Sequence, residues 1–77
     1  MLDAAAVSSA AFTGEAVRLL RLAAEQGLPQ AQHSLGLRCS DGRGVEQSDD
    51  EAVMWVLKAA EQGYQPSIEA LKKAGLR

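Results

Sequence analysis

Apolar residues along this chain recur three or four positions apart, and nowhere do they hold the strict alternation of a half-buried strand. Ala16, Val17, Leu19, Leu20, Ala23 and Ala24 share one side of a helical wheel, with Arg18, Arg21 and Glu25 opposite, which predicts a helix over 14–26. Thr13 suits its N-cap, and Gly27 suits the residue just past its end. Pro29 fits the first turn of a second helix, 29–40, where Ala31, Leu35 and Cys39 form a narrow stripe. Gly36 lies within that helix, where glycine is unfavourable unless a neighbouring backbone comes close. After the turn-rich Asp41-Gly42-Arg43-Gly44-Val45 link, Ser48 and Glu51 have the spacing of a capping box. Asp49 and Asp50 add negative charge at the positive end of a third helix, 49–62, which stops at Gly63. Pro66 opens a fourth, 66–74, with Ile68 and Leu71 apolar and Glu69 placed to pair with Lys73. Short connections make consecutive helices antiparallel neighbours, so the expected class is all-α with about four helices.

The third helix repeats the first. Sliding 15–41 onto 51–77, an offset of 36, gives nine identities in twenty-seven positions, with both Ala-Ala-Glu-Gln-Gly blocks in register. A repeat of this length and period reads as stacked helix pairs, a short α-solenoid in which no unit buries its apolar face alone. One full repeat, 28–63, stands between two half-repeats, and 1–77 is expected to be a single domain. The Ala-rich start, with Leu2, Ala6 and Ala10 on one side, reads as a cap or a frayed segment over 1–13.

Ala31-Gln32-His33-Ser34-Leu35-Gly36, Gly42-Arg43-Gly44-Val45 and the two Ala-Ala-Glu-Gln-Gly blocks together resemble the Sel-one-like repeat family, relatives of tetratricopeptide repeats. The resemblance covers about 15–71 and implies paired helices that mediate protein–protein interaction. The chain departs from the family pattern in several places. Cys39 stands where the resemblance implies tyrosine, and Leu19-Leu20 where it implies Trp-Tyr, of which Trp55-Val56 keeps only the Trp. Lys72 occupies the register of Gly36, so a further helix could not pack closely there and the fourth helix looks like a terminal cap.

Composition narrows the function from the other side. At 47% hydrophobic residues and a mean hydropathy of −0.12, the 77 residues make a globular chain. A net charge of −2 argues against nucleic acid, and no apolar run is long enough for a membrane span. The start lacks the basic region of a signal peptide, so a cytoplasmic location is favoured. Cys39 and the lone histidine, His33, lie six positions apart, and neither catalytic nor metal spacing is present, so no enzyme and no cofactor is expected.

One feature departs from the repeat. Where the first copy has Arg18 and Arg21, the second has Met54 and Leu57, two apolar residues on the side that should face water, to be covered either by the fourth helix or the N-terminal cap or by another chain. The expected function is a non-catalytic interaction module, a small scaffold or adaptor for a protein or peptide partner. Its expected contact residues are Met54, Leu57, Trp55 and His33, with Arg18 and Arg21 as a charged rim. The alternative is a self-associating unit, a homodimer through open repeat ends burying Leu2, Ala6, Ile68 or Leu71.

Overall fold

The computed structural model describes residues 14–75, and the expected cap over 1–13, Thr13 included, lies outside them. Four helices follow one another, α1 (Gly14–Glu25), α2 (Pro29–Asp41), α3 (Asp49–Glu61) and α4 (Gln65–Lys73), with no strand among the described residues. Each end falls within one residue of the position expected from the apolar pattern.

The repeated Ala-Ala-Glu-Gln-Gly blocks close their helices with the same hydrogen bonds. After α1, the Leu28 N–H donates to the Ala23 carbonyl at 3.2 Å and the Gly27 N–H to the Ala24 carbonyl at 3.0 Å. After α3, Tyr64 and Gly63 donate to Ala59 and Ala60 at 3.2 and 2.9 Å. This paired closure needs a left-handed residue, and Gly27 and Gly63 supply it at φ 97° and 85°. Identical letters thus give identical turns, and each turn aims the next helix back along the last.

The start of α3 departs from the expected capping box. Ser48 Oγ accepts the Glu51 N–H at 3.2 Å, as expected, but the reciprocal bond is absent. The Ser48 N–H instead donates to the Cys39 carbonyl at 2.9 Å, tying α3 to the end of α2. With that donor satisfied, the Glu51 carboxylate turns to Arg21 of α1, 3.8 Å away.

Helices pack on their neighbours in chain order, α1 on α2, α2 on α3 and α3 on α4. Val17, Ala24, Ala31, Leu35, Cys39, Ala52 and Trp55 form one buried cluster, flanked by Leu20, Ala23 and Val45. Gly36 is where α2 and α3 come closest. A Cβ there would stand 2.7 Å from Val56 Cγ2 and 3.0 Å from the Ala52 carbonyl oxygen.

Leu19 corrects the expected apolar face of α1. It is 58% exposed, whereas Trp55 in the same register of α3 is 6% exposed. Two residues turn a helix by about 200°, so Leu19 points away from the side that Val17 turns to α2. On α3 that other side is covered by α2, and no helix among the described residues covers it on α1.

Candidate partner-binding surface

The surface is built on α3 and α4. Met54 and Leu57 lie one turn apart on α3 and are 40% and 43% exposed. Leu57 also lines a groove of about 300 Å³ with Ala60 and Glu61 of α3 and with Ile68, Leu71 and Lys72 of α4. Its floor is apolar and its rim carries one acid and one base.

A second cleft, of about 170 Å³, opens where α2 and α4 flank α3, lined by Leu37, Ser40, Val53 and Ala74 among others. In the first pair Cys39 lies fully buried, and in the second its register is taken by Gly75, beyond the end of α4 and without a side chain. Val17 is 5% exposed while its repeat partner Val53 is 38% exposed.

The other expected contact residues do intramolecular work. Trp55 sits in the core with its indole N–H unpartnered, and Lys58 Nζ lies 5.8 Å from the ring centroid. His33 Nδ1 lies 2.7 Å from the fully buried Ser67 Oγ, and the His33 ring meets Tyr64 edge-on at 5.5 Å between centroids. These contacts join α2 to the start of α4. Desolvation holds the His33 pKa below its ordinary value of 6.5. Arg18 pairs with Glu15 on its own helix at 2.9 Å, and Arg21 reaches Glu51 across to α3. The structure thus brings Met54 and Leu57 together on an open face and gives Trp55, His33 and Arg21 contacts between helices.

Cys39 offers little for nucleophilic chemistry. Its thiol pKa is raised by burial first and by the Glu51 charge second, against a lowering by Arg21, so the reactive thiolate is disfavoured. The histidine that could serve it as a base is committed to Ser67. Among the described residues no three His, Cys, Asp or Glu side chains form a group able to hold a metal ion. Among them, too, no helix is long and apolar enough to cross a membrane.

The groove's α4 wall was the part missed as a site. The apolar pattern alone sets Ile68 and Leu71 in an end-on contact and Lys72 on a terminal cap, apart from Leu57. The signal that unites them is the offset of 36, which sets Leu57, Ile68 and Lys72 against Arg21, Gln32 and Gly36 of the first pair.

Comparison with known proteins agrees with the repeat. Uncharacterized protein NMB1327 of Neisseria meningitidis serogroup B is 42% identical over 53 residues, 69% of this chain. The match spans 11% of that protein's length. No solved structure matches. The family model described as Sel1 repeat matches residues 13–28, which hold α1, and 29–64, which hold α2 and α3. Its two matches take in well over half of the chain, which belongs to the Sel1 repeat family.

Proposed function

We propose that the chain is a non-catalytic adaptor, a small helical-repeat scaffold that holds a protein partner on the face of α3 carrying Met54 and Leu57. Sel1 repeats mediate protein–protein interaction, and the fold is of that helical kind. The observation that carries the reading is the exposure of these two apolar side chains beside an apolar groove, at the register where the first copy keeps arginines. Full burial of such a side chain is worth roughly 1.5–3 kcal/mol, and a partner recovers the part that belongs to the 40% of Met54 and 43% of Leu57 left exposed.

A photo-crosslinking residue placed at Leu57 tests this. Protein adducts are expected from position 57 and not from Arg43, an exposed residue of the α2–α3 link. The double change Met54→Arg, Leu57→Arg, in a chain that keeps its helical circular dichroism, should remove the association. Equal adduct yield from both positions, or none from position 57, would refute the reading. A second reading, self-association through open ends, is favoured by the exposure of Leu19 and Leu22 on α1. Light scattering distinguishes the two, since a homodimer doubles the mass without a partner.

A further inference from the structure

The chain contains an occupied counterpart of its own groove. Arg21, Gln32 and Gly36, in the registers of Leu57, Ile68 and Lys72, are the positions at which α1 and α2 hold α3. Arg21 Nη1 lies 3.8 Å from the Glu51 carboxylate. Gln32 donates to the Ala24 carbonyl at 3.0 Å and accepts the Gln62 side-chain N–H at 2.9 Å. Gly36 admits the α3 backbone, with Val56 and Ala52 where a side chain would stand.

At the α3–α4 end all three positions have changed chemistry. Leu57 offers no cation to an incoming carboxylate. Ile68 offers no amide to an incoming glutamine. Lys72 occupies the space that close packing needs, and among the described residues no ion pair involves it. The apolar floor is conserved in type, with Ala60 and Leu71 in the registers of Ala24 and Leu35. The groove keeps its apolar lining and differs in what it selects.

We infer that this groove binds an amphipathic helix of a different protein and rejects a helix of the α3 kind, including α1 of a second copy. The inference rests on the adaptor reading and names its partner's chemistry. The fitting helix carries apolar residues where α3 has Glu51 and Gln62, and a carboxylate opposite Lys72. In repeat register, α1 of a second copy would set Glu15 against Leu57, Gln26 against Ile68 and Leu20 against Lys72. Each contact leaves a carboxylate, an amide or an ammonium without a partner. Since Arg21 and Glu51 keep 36% and 44% of their side chains exposed, each mismatch costs little alone and the discrimination comes from the three together.

The test uses the full chain and two labelled peptides, with binding read by fluorescence anisotropy. One peptide is the chain's own 49–62 sequence, and the other carries Glu51→Leu, Val56→Glu and Gln62→Leu. The recoded peptide should bind about tenfold tighter or better. The chain variant Leu57→Arg, Ile68→Gln, Lys72→Gly restores the first pair's code and should reverse the preference. Should that variant fail to fold, Lys72→Glu alone changes an exposed side chain, and it should shift preference from the recoded peptide to a third peptide that differs from it only in carrying Val56→Lys. Equal binding of both peptides, tighter binding of the native sequence, or no binding of either overturns the groove's code, as does a homodimer weakened by Leu57→Arg. Adducts from position 57 that persist through Ile68→Gln and Lys72→Glu would leave the adaptor reading standing while the code falls.

Discussion

Gly36→Ala is the substitution on which the α2–α3 packing is most exposed to refutation. On an open helix the change stabilises by about 1 kcal/mol, because alanine is the better helix former. Here the new methyl would lie 2.7 Å from Val56 Cγ2 and 3.0 Å from the Ala52 carbonyl oxygen, with the Val56 nitrogen at 3.4 Å. Neither near contact yields easily. Valine has one strongly preferred rotamer in a helix, and a carbonyl oxygen moves only if α3 moves. Overpacking of this kind costs about 1–3 kcal/mol, so it should outweigh the propensity gain and leave a net loss of up to about 2 kcal/mol. For a domain of this size that lowers Tm by several degrees, at roughly 4–8 °C per kcal/mol. Thermal and urea melts followed by circular dichroism measure it, and Gly36→Leu should be worse. In a Val56→Ala background the Gly36→Ala loss should shrink, since the nearest methyl is gone and only backbone contacts remain. A raised Tm for Gly36→Ala, or strict additivity in the double variant, would show that α3 does not sit against this glycine.

Three further outcomes follow from the same contacts. Burial lowers the His33 pKa, so the unfolded chain binds the proton more tightly than the folded one; this contribution to stability is full above the ordinary value of 6.5 and is lost as pH falls through the lowered value. Urea midpoints should fall from pH 7.5 to about pH 5.5 and His33→Gln should flatten that slope, whereas an unchanged slope would detach it from His33. Cys39 should react slowly with a thiol reagent in the folded chain and quickly in denaturant, and Cys39→Ser should cost about 1–3 kcal/mol through an unpaired buried hydroxyl; fast native labelling would contradict its burial. Ser48→Ala removes the acceptor of the Glu51 N–H and should cost about 1 kcal/mol in a urea melt, while no loss would mean that the cap is replaced.

The local code of this fold was legible because it is written twice. Gly27 and Gly63 marked helix ends that the structure closes with matching bonds, and the mid-helix Gly36 announced the close α2–α3 contact. What stayed hidden depends on partners distant in sequence. Ser48 and Glu51 have perfect capping-box spacing, yet the Cys39 carbonyl and Arg21 claim the groups that would complete the box. Leu19 and Trp55 share a register, and only the position of α2 separates an exposed leucine from a buried tryptophan. His33 offered no pattern at all, since Ser67, its hydrogen-bond partner, lies 34 residues away.

The surface itself is legible only by difference. Val17 and Val53 are the same residue in the same register, yet one is covered and the other is open. A pattern that reports the apolar face of each helix separately cannot see this, because both valines satisfy it equally. The information lies instead in positions where one copy breaks the other's chemistry. Arg21 becoming Leu57, Gln32 becoming Ile68 and Gly36 becoming Lys72 remove a charge, remove an amide and add a cation, at the three points where one helix pair grips the next helix. Ala24 and Leu35, which only supply apolar surface, recur as Ala60 and Leu71. Loss of the specific contacts with retention of the apolar floor is the observation on which the proposed partner groove rests.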